Sequence, residues 1–494
     1  IMNSGVSSLT ELKKRVLCAS VLALLMFLGF AQNGKCASDE ELTHASTAVQ
    51  ESWPPPPPPG APVSVTDTIY GVLRHHRALR SMQENRQVLE HELRRAQAGF
   101  GPSIDLSGQA GGNLLSDRST RNEDLDKQMY GIGEISGRLT QPIWDGFATR
   151  SRVRSALSTL NSVKARVFDT ATTLALDGII AHIDLLRQRK IYELSERNVA
   201  QHRAILAMTA DRSSMGADTE ADVTQAQSRL SRALSSLSEA QANLLVAEDT
   251  YSRLTGMAPP SRLDAVPMPP EIFSGPGRVF KLAEKHNPKI LAYIQDVRTA
   301  VGDKELAEST FYPTINAEVG PTYSDRGGSY DRWVYNFDAV ATMRWNIFNS
   351  GADLAERKAA MARIRQARQT MYDFFDTLKL DIQSTWVNYL SAQDQFKHYT
   401  DAIKSNEFTR TAFVEQFQLG KRSLLDVLDA ENELYNSSTQ AATASGNILV
   451  GAYRLCALTG NMLPVLSIDT KPLNDNPVHD KVTKAEEFDL GWFK

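Results

Sequence analysis

Phe100-Gly101-Pro102-Ser103-Ile104 returns as Phe311-Tyr312-Pro313-Thr314-Ile315, 211 residues later. The echo continues. Ile143-Trp144-Asp145 matches Ile347-Phe348-Asn349, Gly216 matches Gly420, Asp222-Val223 matches Asp426-Val427 and Thr255-Gly256 matches Thr459-Gly460, all at an offset of 204. A repeat of this length governs the fold more than any local propensity does. The offset steps once, by 7 residues, between Gly108 and Leu139. One loop insertion accounts for the step, and the polar stretch Ser116 to Lys127 is where a surface loop would tolerate it.

Each copy opens with a helical stretch, about Val65 to Ala98 and Arg278 to Ser309. Pro102 and Pro313 end the helical pattern and start strands. Ile104, Leu106, Gly108 and Ala110 then alternate with Ser103, Asp105, Ser107 and Gln109. Ile315, Ala317 and Val319 do so in the second copy. The return strand is clearest at Trp333, Tyr335, Phe337, Ala339 and Ala341. Period two means two faces with different surroundings. After each hairpin, Phe147 to Met215 and Ala352 to Leu419 contain no proline and only Gly178 as glycine. Such runs predict helices of roughly 100 Å. Gly216 and Gly420 end them, and a second helix returns with a heptad. In the first copy one seam is Val223, Leu230, Leu237, Leu244 and Tyr251; the other is Ala226, Ala233, Ala240, Ala247 and Leu254. In the second copy the seams are Val427, Leu434, Ala441, Ile448, Leu455 and Ala430, Ser437, Ala444, Gly451, Leu458. A sustained 3.5-residue period specifies coiled-coil packing, here with small residues that let helices approach closely.

The remainder sets the compartment. Lys13-Lys14-Arg15, an apolar run from Val16 to Phe30 and the exit Cys36-Ala37-Ser38 read as a signal peptide, residues 1–37. Asn33-Gly34-Lys35 is a poor context for lipidation of Cys36. Residues 38–63 form a polar, proline-rich linker whose run Pro54 to Pro59 favours a stiff extended spacer. The expected order is then a first repeat at 64–260 with its hairpin at 102–142, a linker at 261–277, a second repeat at 278–470 with its hairpin at 313–346, and a polar tail at 471–494. With the leader removed, Cys456 is the only cysteine, so no internal disulfide is expected. No remaining segment is apolar for 18 residues, so a membrane would have to be crossed by strands. A net charge of −4 without a long basic block argues against a nucleic-acid partner.

Four amphipathic strands leave open edges, which a bilayer does not tolerate. They are also fewer than the roughly eight of the smallest closed membrane barrels. The edges must close against other chains; two chains or three would serve.

The ordering of helix, Pro-led hairpin, long helix, Gly turn and heptad helix, given twice, resembles the TolC family of outer-membrane export channels. The segment Leu419-Gly420-Lys421-Arg422-Ser423-Leu424-Leu425-Asp426-Val427-Leu428-Asp429-Ala430 is similar to that family's second-repeat turn. The resemblance implies a mainly α fold with a small β part. As a homotrimer it would form a 12-stranded β-barrel continued by a 12-helix α-barrel, in the outer membrane of a Gram-negative bacterium with a long periplasmic extension. It implies a periplasmic adaptor, an inner-membrane ABC or proton-driven transporter and outer-membrane lipid as partners, and no cofactor. The function expected is a passive exit duct for protein (type I secretion), with multidrug or metal efflux as the alternative.

The same resemblance implies site residues. Asp426 and Asp429, three apart on one helix face, match acidic rings at the pore aperture. A ring of this kind favours cations; on their own, the two acids also suit a solvated helix start. Asp222 and Arg422 match a clamp between neighbouring hairpins that holds the aperture shut. Phe417 stands where the family has a clamping tyrosine, and Ala221 where it has a hydroxyl residue. On spacing alone, Arg422 could equally pair with an acid of its own helix. Gly216 and Gly420 mark the hairpin tips, where the resemblance places adaptor contact. No nucleophile or metal-ligand spacing accompanies the acids, His75-His76 included, and no phosphate-binding glycine loop occurs, so no enzyme is expected. A pore-less periplasmic or secreted coiled-coil scaffold would use the heptads but not the matched hairpins.

Overall fold

The protein is seen in a computed structural model that describes residues 53–58, 60–114, 121, 129–269, 274–326 and 333–474. The expected signal peptide, most of the expected linker after it, nearly all of the 116–127 loop and the tail beyond 474 lie outside the described residues. The chain divides between Pro55 and Pro56. Of the N-terminal unit only residues 53–55 are described; everything below belongs to the second unit.

The first copy contains α1 (Val65–His75), α2 (Arg77–Ala98), β1 (Ser103–Leu114), β2 (Met129–Trp144), α3 (Ala148–Ser214) and α4 (Glu220–Thr255). The second contains α5 (Pro276–His286), α6 (Pro288–Glu308), β3 (Thr314–Arg326), β4 (Trp333–Arg344), α7 (Ala352–Gln418) and α8 (Leu424–Leu458). Two short helices follow, α9 (Met462–Val465) and α10 (Lys471–Asn474).

The first helix expected in each copy is in fact two. In the second copy the cause is Pro288, which lacks an N–H and forces Asn287 into an extended conformation (ψ 117°). Asn287 Oδ1 then accepts from Lys289 N–H at 2.9 Å and starts α6. The first copy makes the same break without proline. His76 is extended (ψ 119°) and its Nδ1 accepts from Ala78 N–H at 3.3 Å.

The long helices α3 and α7 have 67 residues each, about 100 Å apiece at 1.5 Å per residue. Left-handed residues turn the chain into both. Gly146 and Phe147 (φ 64° and 68°) stand before α3, and Ser350 and Gly351 (φ 50° and 81°) before α7. The pairs correspond residue for residue. A glycine takes this conformation freely, whereas Phe147 does so at about 1–2 kcal/mol.

The returning helices bury the heptad seams. Ala226, Ala233, Ala240 and Ala247 are all buried on α4, as are Ala430, Ser437, Ala444 and Gly451 on α8. At Gly451 a Cβ would lie 3.2 Å from Tyr389 Cβ, so this seam position lets α8 pack tightly on α7. No described helix is long and apolar enough to cross a membrane.

The strands form one antiparallel sheet in the order β1-β2-β3-β4. Each hairpin pairs within its copy, from Ser103↔Thr140 to Leu114↔Met129 and from Thr314↔Arg344 to Asp325↔Trp333. The central pairing, β2 on β3, joins the two copies. Apolar residues at alternate positions, including Ile104, Leu106, Trp333, Tyr335 and Phe337, stand exposed. The outer edges of β1 and β4 have no strand partner among the described residues.

Where α1 meets α3 and α4, a buried polar group ties the first copy together. Thr68 Oγ1 lies 2.9 Å from His182 Nδ1 and 3.0 Å from Tyr251 Oη, and His182 Nε2 lies 3.0 Å from the Asp264 carbonyl. Burial lowers the His182 pKa below 6.5, against the opposing hydrogen bond to Asp264. Burial likewise lowers that of His202. In the window below 6.5 the unfolded chain binds protons that the folded chain does not, so stability is lost as pH falls. Melting temperature should therefore fall by a few degrees between neutral and mildly acidic pH. The fall should shrink in His182→Gln; an unchanged pH slope in that variant would refute the assignment.

Candidate functional site at the helical tips

Both long hairpins turn in the same way. Gly216 (φ 80°) and Gly420 (φ 73°) are left-handed, and the N–H groups of Ala217 and Lys421 donate back to the carbonyls of Arg212 and Gln416 at 2.9 Å. These bonds satisfy carbonyls that the helix ends would leave open. At both glycines an added Cβ would meet nothing within 4 Å, so the left-handed turn alone, not packing, calls for glycine.

The next residues cap the returning helices. Thr219 Oγ1 donates to Asp222 Oδ2 at 2.7 Å, and Asp222 N–H donates to Thr219 Oγ1 at 3.2 Å. Ser423 and Asp426 repeat this at 2.7 and 3.3 Å. Asp222 and Asp426 are thus the same structural residue in the two copies, the acid three positions into the helix. The Thr219 hydroxyl holds the Asp222 carboxyl below its ordinary range. The Ser423 hydroxyl, then the charge of Arg422, does so for Asp426.

The expected site residues separate into four groups. Asp426 stays at the exposed tip. Asp429 reaches across the copies, accepting from Arg229 Nη2 of α4 at 3.0 Å. Within the chain Arg422 is engaged locally, with Nε 3.6 Å from Asp426 Oδ2 and its guanidinium 3.9 Å from the Phe413 ring. Asp222 is engaged with Thr219. Phe417 is buried, 3% exposed, in a cluster with Ile205, Ala226, Leu424, Val427 and Leu428 drawn from all four long helices.

Sequence reading missed Arg212. Its Nε and Nη2 donate to the two oxygens of Asp218 at 2.8 and 3.1 Å, bracing the first turn. Its Nη1 donates to the Gln418 carbonyl at 3.2 Å, and its guanidinium lies 4.6 Å from the Phe417 ring. One side chain thereby holds both tips. The Arg212/Asp218 pair flanking Gly216 was the available signal. The second turn carries Gln416 and Arg422 at the equivalent places, so this brace belongs to one copy. Among the described residues no group of three His, Cys, Asp or Glu could hold a metal.

The family model described as outer membrane efflux protein matches residues 68–257 and 279–461. The outer membrane efflux protein BepC of Brucella suis is 23% identical over 404 residues, covering 81% of this chain and 86% of its own. The alkaline protease secretion protein AprF of Pseudomonas aeruginosa is 23% identical over 349 residues, covering 68% and 71%. The crystal structure of the outer membrane protein VceC of Vibrio cholerae superposes with a TM-score of 0.67 at 17% identity, covering 81% of this chain and 95% of that one.

Proposed function

The chain belongs to the outer membrane efflux protein family, and on that premise we propose that it is the exit duct of a tripartite export system, gated at the helical tips. Outer-membrane channel is the level at which family and fold agree. The observation that carries the duct is the sheet: four strands in one continuous order, with both outer edges unpaired among the described residues. Three copies joined edge to edge give a closed barrel of about 12 strands, which satisfies every edge. The two 67-residue helices per chain then extend the duct away from the membrane.

The tips supply the gate in this reading. Three copies bring Asp426 and Asp429 into acidic rings that favour cations. Asp222 and Arg422 can re-pair between neighbouring copies, since their present partners lie on their own turns. The exposed turns at Gly216 and Gly420 suit an adaptor, and an inner-membrane transporter supplies the energy. Protein cargo is favoured by the likeness to a protease secretion protein; small-molecule efflux is the second reading, favoured by the likeness to an efflux protein.

Reconstitution of the full chain in planar bilayers tests the duct. Heat-resistant trimers and a cation-preferring conductance that weakens in Asp426→Asn/Asp429→Asn are expected. A soluble monomer without conductance would return the protein to the scaffold class. For cargo, removal from the host should abolish a secreted protein; loss of drug or metal tolerance alone would decide for efflux.

A further inference from the structure

The two copies differ most tellingly where the sheet hands over to the helices. A cavity of about 620 Å³ lies between the start of α3, the end of α6 and the start of α7. Phe147, Phe311 and Tyr312 supply its apolar lining, and Arg150, Arg154 and Arg357 its cations. Phe147 packs edge-on against Trp144 at 4.6 Å and Tyr312 at 6.5 Å. Its backbone is left-handed, at φ 68°.

The corresponding residues of the other copy do not repeat this lining. Phe147 corresponds to Gly351, Tyr312 to Gly101, Arg150 to Leu354 and Arg357 to Val153. The fold therefore works at this turn with glycine, which takes the conformation without strain. Holding a phenylalanine there is a local cost that the architecture does not require, and strain of this kind concentrates at binding sites.

The charges are also unbalanced. Arg154 Nη1 donates to both oxygens of Glu305 at 2.7 and 2.9 Å. Glu308 is shared by Lys304 at 2.6 Å and Arg357 at 3.2 Å. The Arg357 contact runs through its buried Nε, which pairs with Glu308 by charge without a well-aligned hydrogen bond. Arg150 has no ion pair among the described residues and stands exposed in the cavity wall. Three arginines of the cavity wall thus meet two carboxylates, beside three aromatic rings.

We propose that this cavity binds the phosphate of an anionic phospholipid, with Arg150 and Arg357 on the phosphate and Phe147 and Tyr312 against the glycerol and upper acyl chain. The level fits. Trp144, Trp345 and Tyr312 gather at the helix-side ends of the strands, where membrane barrels carry their aromatic girdle and lipid headgroups lie. Guanidinium groups suit a phosphate through paired donors. The lipid source rests on the barrel reading above; the anion chemistry does not.

Native mass spectrometry of the full chain in detergent, offered phosphatidylglycerol or phosphatidylcholine, tests this. Phosphatidylglycerol should be retained preferentially, and Arg150→Ala should weaken its retention about tenfold. Arg152→Ala, one residue pair away and outside the cavity, should not. Phe147→Gly should also lose retention while melting no lower, which separates binding from misfolding. Equal retention of both lipids, or wild-type retention in Arg150→Ala, would overturn the site. Displacement by millimolar inorganic phosphate would assign it to the free anion and overturn the lipid assignment. Conductance is read on the same preparations. A conducting protein without lipid preference loses this inference alone, and a lipid-selective protein that never conducts loses the duct.

Discussion

Phe417→Ala should destabilise the helical tips by about 3–5 kcal/mol, the usual cost of emptying a buried phenylalanine site. The ring is 3% exposed and touches residues of both copies, so its loss opens a cavity where α3, α4, α7 and α8 meet. It also removes the face on which the Arg212 guanidinium rests at 4.6 Å. The polar contacts nearby are too weak to compensate. Arg229–Asp429 has side chains 25% and 55% exposed, and such pairs contribute about 0.2–1 kcal/mol. Apolar packing, more than ion pairing, therefore holds the two hairpins together at their tips. Hydrogen exchange should quicken around residues 205–230 and 413–430 and stay unchanged in the sheet. Phe417→Leu, which refills most of the volume, should cost under about 1.5 kcal/mol. In bilayers the alanine variant should spend more time open. Unchanged exchange at the tips would show that the cluster is not what joins them.

The resemblance assigns Phe417 to the clamp, and within the chain its ring is buried in the tip cluster with Ile205, Leu424 and Leu428. Asp222 and Asp426 are expected at clamp and aperture, and Thr219-Glu220-Ala221-Asp222 and Ser423-Leu424-Leu425-Asp426 both also carry the spacing of a helix cap. The duplication made that legible, since one structural role explains both. The cap and an acidic ring are compatible, because the capping carboxylate remains at the exposed tip. Arg212 was harder to find. Its contacts to Gln418 and Phe417 span about two hundred residues, and no local pattern announces a partner so distant. The seams were legible because burial repeats along them, and the strands because apolar and polar residues alternate. The break at His76 carries no proline, and its only mark in the sequence is Pro288 beside the equivalent residue Asn287 of the second copy. Phe147 was hidden for a related reason: a left-handed phenylalanine has no sequence signature, and only the glycine at its equivalent, Gly351, hints at the backbone there.

Gly460→Ala should cost about 2–5 kcal/mol, from two sources. Gly460 is left-handed (φ 77°), which alone costs an alanine about 1–2 kcal/mol. Its Cβ would also lie 2.5 Å from Asn287 Cα, 2.6 Å from the His286 carbonyl oxygen and 2.7 Å from Pro288 Cδ. These are mostly backbone atoms with little room to give, and overpacking of this sort costs about 1–3 kcal/mol. The end of α8 is thus seated on the break between α5 and α6, and Asn287 Nδ2 fastens it by donating to the Leu458 carbonyl at 2.9 Å. The first copy repeats the arrangement with the end of α4 on the α1–α2 break, where a Cβ at Gly256 would strike the His75 ring at 2.4 Å. There a side chain can rotate away, so Gly256→Ala should be the milder change. Gly420→Ala is the control, with a similar φ of 73° but open space around it. Chemical unfolding of the three variants separates conformational strain from packing. If Gly460→Ala and Gly420→Ala cost the same, close approach contributes nothing and the helix breaks are not pinned by the returning helices. If they differ as expected, the breaks are fixed joints, each formed where a heptad helix ends against it.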